Sequence, residues 1–172
     1  MNLDLVKKVV LVTASGHGLG KGIAKGFLEE GALVVVTDID NNRLESTVGE
    51  FIQLYGKENI FSFCGDLTIE EQIVNCIAEI VAKFGKLDIL IANLGTGKGS
   101  QEWNIDNENW NRMMDMNFNA ARKTVNAAVQ HMPKETGSSI TFISSIAGVE
   151  VIGAPIHYSV AKAALIAYST NL

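Results

Sequence analysis

Little in this chain lends itself to metal, disulfide or membrane chemistry. Its two cysteines, Cys64 and Cys76, lack the CxxC spacing of a zinc or redox site and read as reduced, buried thiols. The three histidines, His17, His131 and His157, are scattered, so no metal cluster is legible. No apolar run approaches the roughly 20 residues needed to cross a bilayer. The apolar stretch after Lys7 and Lys8 is too short and too rich in β-formers for a signal peptide. Basic clusters are also missing, and the net charge of −5 argues against a nucleic-acid surface. There are no internal repeats, linkers or low-complexity segments. These absences lead us to expect a cytoplasmic protein with neither nucleic acid nor membrane as a partner.

What is present is enough apolar material for one core. With 172 residues, 47% hydrophobic and 19% charged, the chain is expected to form a single domain over residues 1–172. The stretch Val9 to Phe27 organises the rest. Val9-Val10-Leu11-Val12 reads as a strand buried on both faces. It runs into Thr13-Ala14-Ser15-Gly16-His17-Gly18-Leu19-Gly20, and apolar residues then recur at helical spacing through Leu19, Ile23, Ala24, Phe27 and Leu28. A strand, a glycine turn and a helix together aim free N–H groups and the helix dipole at a phosphate. A second apolar run, Leu33 to Thr37, ends in Asp38, about 20 residues beyond the glycines, where a ribose hydroxyl would be held. Gly20-Lys21 suggests a rival P-loop. That reading fails because Ser15 stands where the first glycine belongs and Gly22 where the magnesium-binding Ser or Thr belongs.

Further along, the pattern alternates. A helix is expected at Asn41–Tyr55, capped by Asn41 or Asn42, then a strand at Ile60–Cys64. Thr68 with Glu71 has the spacing of a capping box opening a helix to about Phe84. Leu87–Ala92 reads as a fourth strand, residues 95–108 as loop, and Glu108–Met132 as one long helix ended by Pro133 and Gly137. A fifth strand, Ser139–Ile143, precedes a last helix that begins near Pro155. Alternating strands and helices predict an α/β fold: a Rossmann-type, doubly wound parallel sheet with right-handed crossovers.

On these residues the chain resembles the short-chain dehydrogenase/reductase family over its whole length. The glycine turn resembles TGxxxGxG, with Ala14 in place of the first glycine. Asp66 matches the acidic residue after the third strand, and Asn93-Leu94-Gly95 falls where NNAG is usual, so Ala92 and Leu94 are departures. Asn117 matches the asparagine of the long helix, Ser145 the serine after the fifth strand, and Tyr158-Ser159-Val160-Ala161-Lys162 the YxxxK motif.

The resemblance implies an oxidoreductase that moves hydride between a nicotinamide and an alcohol or ketone. The expected cofactor is NAD rather than NADP, bound by Thr13, Ser15, Gly16, His17, Gly18, Leu19, Gly20, Asp38, Asp66, Leu67, Asn93, Gly95, Tyr158 and Lys162. Free tyrosine titrates near ~10, too high for a good base at neutral pH. Lys162, one helical turn away, sets a cation beside Tyr158 and favours its phenolate. By resemblance Lys162 also bonds the nicotinamide ribose, Ser145 positions the substrate oxygen, and Asn117 holds a proton-relaying water.

The apolar residues Met113, Met114, Phe118, Ala121, Val125 and Val129 suggest a homodimer or homotetramer. Family members continue into two further strands and substrate-closing loops, so the chain is expected to be incomplete beyond Leu172. The fifth strand would then be an uncovered edge. The alternative reading is a dinucleotide-binding module without turnover.

Overall fold

In a computed structural model describing residues 3–135 and 137–172, five strands form one parallel sheet in the order β3-β2-β1-β4-β5. The strands are β1 (Val9–Val12), β2 (Leu33–Asp38), β3 (Ile60–Cys64), β4 (Ile89–Ala92) and β5 (Ser139–Phe142). Helices α1 (Gly18–Glu29) and α2 (Asn41–Tyr55) contribute to one apolar layer; α3 (Glu70–Phe84) and α5 (Ala120–Ala128) contribute to the other. The period-two alternation of a strand divides β1 between them. Val9 and Leu11 pack with Ile73, Ile80 and Val125, while Val10 and Val12 pack with Ala24, Leu28 and Phe51. Burial on both faces explains the unbroken apolar run in sequence.

Several boundaries differ from expectation. Asp40, not Asn41 or Asn42, caps α2, its carboxylate accepting the Arg43 N–H at 3.1 Å. The capping box at Thr68 does not form. The Thr68 hydroxyl donates instead to Asp66 Oδ1 at 2.7 Å, and α3 starts at Glu70 without a side-chain cap. The long helix is broken: α4 (Asn107–Met114) passes through a π-helical turn at Asp115–Asn119 into α5, followed by a 3-10 turn at Val129–His131. Cys64 is exposed rather than buried, since it ends an edge strand. Cys76 is buried, and that burial pushes its thiol pKa up to about 12. Strand β5 is an edge, as expected, with Ser139 and Thr141 exposed and Ile140 and Phe142 half-buried. The last helix, α6 (Ile156–Asn171), buries His157, Ala161, Lys162 and Leu165.

The strand order reverses between β1 and β4, so their carboxyl ends diverge and open a crevice. Side chains tie that edge together. Thr13 Oγ1 accepts the N–H groups of Asn93 and Leu94 at 2.9 and 3.0 Å. Asn93 Nδ2 donates to the Thr13 and Ala14 carbonyls at 2.9 and 3.1 Å. Toward β2, Ser15 Oγ donates to the Val12 carbonyl at 2.6 Å and accepts Thr37 N–H at 3.0 Å.

Ala14 sits within this turn at φ +52°, the left-handed region that disfavours a Cβ. Its N–H is nevertheless satisfied by Thr37 Oγ1 at 3.1 Å. The surrounding hydrogen bonds thus hold an alanine in a glycine's conformation. Relief of roughly 1–2 kcal/mol of strain in Ala14→Gly, partly offset by roughly 0.4–1 kcal/mol of added unfolded-state entropy, predicts a net gain. For a chain of this size the melting midpoint should rise by about 2 °C. A calorimetric midpoint at or below that of the unchanged protein would show that the turn stores no such strain.

Candidate functional site

The crevice between β1 and β4 leads into two neighbouring clefts. One, of about 790 Å³, lies over the ends of β2 and β3 and is lined by residues that include His17, Asp38, Asp66, Leu67 and Gly95. The other, of about 300 Å³, is lined by residues that include Gly18, Asn93, Asn117, Tyr158 and Lys162. His17, Ala14 and Gly95 border both, so the glycine turn forms the ridge between them.

The turn is built for close approach. A Cβ on Gly16 would fall 2.6 Å from Asp38 Oδ2, and one on Gly20 would strike the Ala14 carbonyl oxygen. Gly18, at φ +58°, has open space above it and begins α1. The α1 N-terminus has no side-chain cap and no acidic residue in its first turn. Its N–H groups and the positive end of its dipole therefore face the clefts, ready for an anionic diphosphate. Asp38, at 5% exposure, accepts the Asp40 N–H at 2.9 Å and meets His17 Nδ1 at 3.3 Å. Asp66 Oδ1 accepts both the N–H and the hydroxyl of Thr68. Asp38 and Asp66 thus border the larger cleft beside Glu108 and Asp115, where a nucleoside's hydroxyl and amino donors could be bound.

In the smaller cleft, Lys162 is only 5% exposed. Its ammonium donates to the Ile143 carbonyl at 2.8 Å and lies 5.9 Å from the centre of the Tyr158 ring. Burial lowers the Lys162 pKa from its ordinary value. Asn117 lies in the π-helical turn and is 1% exposed. Its Oδ1 accepts the Thr96 N–H at 3.0 Å, and its Nδ2 donates to the carbonyls of Thr96 at 3.1 Å and Met113 at 3.2 Å. The extra residue of the π turn coincides with the point where α4 meets the loop after β4, a frequent use of such turns.

Of the residues expected from sequence, Thr13, Ser15 and Gly16 line neither cleft. Thr13 and Ser15 turn inward, 2% and 0% exposed, and brace the backbone. Ser145 is also outside the lining, and its neighbour Ser144 borders the smaller cleft. The Ser145 hydroxyl accepts the Ala147 N–H at 3.2 Å, which leaves its own proton without an acceptor among the described residues. Thr37, Arg43, Thr68, Leu94, Thr96 and Gly97 border the clefts without having been foreseen. Thr37, Thr68, Leu94 and Thr96 each adjoin an expected residue, and adjacency could have flagged them. Arg43 sits on the following helix, and only the fold brings it to the site.

Among the described residues no three His, Cys, Asp or Glu side chains are placed to hold a metal ion. No described helix is long and apolar enough to cross a membrane.

Comparison with known proteins agrees with this fold. The chain is 35% identical over 173 residues to the uncharacterized oxidoreductase YvrD of Bacillus subtilis, covering 100% of this chain and 64% of that protein. It thus spans just under two thirds of that relative's length. A short chain dehydrogenase from Mycobacterium smegmatis superposes with a TM-score of 0.88 at 31% identity, over 97% of this chain and 70% of that one. L-sorbose reductase from Gluconobacter frateurii, complexed with NADPH and L-sorbose, superposes with a TM-score of 0.93 at 27% identity, over 99% and 65%. The family description that matches residues 8–172 is that of the short chain dehydrogenases. With the glycine turn, the parallel sheet and the Tyr158–Lys162 helix in place, the chain belongs to the short-chain dehydrogenase/reductase family.

Proposed function

We propose that the protein moves hydride between NAD(H) and an alcohol/ketone pair. The observation that carries this is the meeting of Tyr158, Lys162 and Asn117 in one cleft beside the uncapped start of α1. When bound, the nicotinamide supplies or accepts the hydride; the chain positions the substrate and moves a proton. Tyr158 Oη is the proton donor in reduction and the acceptor in oxidation. Lys162 favours the phenolate because its cation is buried beside the ring, where charges interact more strongly than in water. Ser145 directs its free hydroxyl proton to the substrate oxygen. Asn117 has both ends of its amide engaged by protein, so its part is to fix Thr96 and Gly97 against Tyr158 rather than to grip a water through its side chain.

Asp38 favours NAD over NADP. It accepts hydrogen bonds from ribose hydroxyls and repels a 2′-phosphate. The nearby cation Arg43 is paired with Asp40 at 3.3 Å, which offsets the charge a phosphate would seek. The L-sorbose reductase is in complex with NADPH, so cofactor choice here is argued from this chain's own residues.

Association into a homodimer or homotetramer rests on a smaller surface than the sequence suggested. Met113, Ala121 and Val125 are already covered within the chain, whereas Val129 is 50% exposed and Met114 and Phe118 are half-buried. Ile156 and Val160 of α6 are also exposed.

Three measurements test these readings. Tyr158→Phe should reduce turnover at least roughly a hundredfold, the scale of general acid–base catalysis, while NAD affinity is nearly kept. Lys162→Ala should lower both. Retention of most activity by Tyr158→Phe would remove the proton-transfer assignment. Asp38→Ala should narrow the NAD-to-NADP affinity ratio roughly tenfold or more, by removing like-charge repulsion; equal affinities in the unmutated protein would contradict the preference. Sedimentation at micromolar concentration should show a dimer or larger species, and a strict monomer would refute association.

A further inference from the structure

The loop Gly95-Thr96-Gly97-Lys98-Gly99-Ser100 has glycine at alternate positions, and cofactor binding does not account for all of it. Its first half borders the Tyr158 cleft, where a Cβ on Gly97 would stand 3.8 Å from the Tyr158 ring. Its second half turns away and rests directly on two helices. A Cβ on Gly99 would come within 2.6 Å of His157 Cε1 and 2.8 Å of Met113 Cε. Between loop and helices lies a further cavity of about 290 Å³, which shares Thr96 with the smaller cleft and Arg112 and Met116 with the larger.

Three kinds of polar group converge on this cavity without partners. Lys98 and Arg112 line it, and among the described residues neither forms an ion pair. Glu108 and Asp115, on either side of Arg112 along the helix, border the larger cleft and do not come within ion-pair distance of it. His157 is 2% exposed, and its Nδ1 has no hydrogen-bond partner, an uncommon condition for a buried polar atom. Gly99 also lines the cavity, and its N–H finds no protein acceptor among the described residues. Two exposed cations at the rim, a buried unpartnered imidazole and a free backbone N–H are the chemistry that recognises an oxyanion.

We propose that this cavity is the substrate's anion subsite: the carbonyl compound carries a carboxylate or phosphate held by Lys98, Arg112 and the glycine loop while its carbonyl faces Tyr158. The proposal rests on the hydride-transfer reading of the neighbouring cleft. It assigns substrate class to residues of the β4–α4 loop and α4, of which Arg112 also borders the larger cleft.

The ring of Trp110 lies 5.8 Å from that of His157, edge to face, and so reports on occupancy. In the NAD-saturated protein with Trp103→Phe, Trp110 fluorescence is followed while inorganic phosphate or succinate is added. We expect a saturable change, with affinity weakened roughly tenfold by Lys98→Gln and by Arg112→Gln, the scale of losing one charge-assisted hydrogen bond. Tighter succinate binding assigns a carboxylate, and tighter phosphate binding a phosphate ester. No saturable change, or one that both variants leave intact, overturns the subsite. In a second arm, 2-oxo and 3-oxo acids are compared with their neutral methyl esters. The acids should have the higher kcat/KM, and Lys98→Gln should narrow the acid-to-ester ratio roughly tenfold. Anion binding that depends on Lys98 with no ketone turned over would keep the subsite and overturn the hydride-transfer reading. Turnover of esters and acids alike, with no anion response, would do the reverse.

Discussion

All five strands of a parallel sheet reach their carboxyl ends along the same edge, and there the ladder that satisfied their backbone groups stops. Buried N–H and C=O groups left without partners are costly, at roughly 1–3 kcal/mol each. In this protein the difficulty is greatest between β1 and β4, where the chain departs toward opposite faces. Thr13, Ser15, Thr37 and Asn93 resolve it by bonding to backbone across three strands. The crevice can stay open because these side chains hold its walls. Having been committed to the walls, Thr13 and Ser15 face inward rather than toward a ligand.

The same division of labour extends to the second cleft. Asn117 holds the loop after β4 through Thr96, and Lys162 reaches back to the Ile143 carbonyl at the end of β5. Each contact joins segments about 20 residues apart and fixes the position of Tyr158's surroundings. A buried cation lowers its own pKa by losing hydration, and it also strengthens its pull on any neighbouring developing negative charge. In the proposed function, proton transfer at Tyr158 and the local price of burying Lys162 are one arrangement seen from two sides.

Away from the clefts the surface is less finished. Among the described residues, one side of the β5 ladder is unpaired, and Ile140 and Phe142 are half-covered, Phe142 by the edge-on ring of Tyr168. Val149, Val151 and Ile152 are exposed on the connection to α6.

The sequence by itself determined where the strands lie and the glycine turn between β1 and α1, because each is a local matter. An apolar run bounded by glycine specifies a buried strand wherever it lies, and Asp38 follows β2 with no help from the rest of the chain. YxxxK likewise sets Tyr158 and Lys162 one helical turn apart. Tertiary structure decided what depends on partners distant in sequence. It chose Asp40 over Asn41 as the α2 cap and gave the Thr68 hydroxyl to Asp66 rather than to α3. It inserted a π turn at Asn117, where the loop after β4 needed anchoring, although the apolar periodicity there reads as continuous helix. It also brought Lys98, Arg112 and His157 around one cavity. Periodicity reports which face of an element is buried, but a hydrogen bond or a shared cavity is fixed only when two separated segments arrive at the same place.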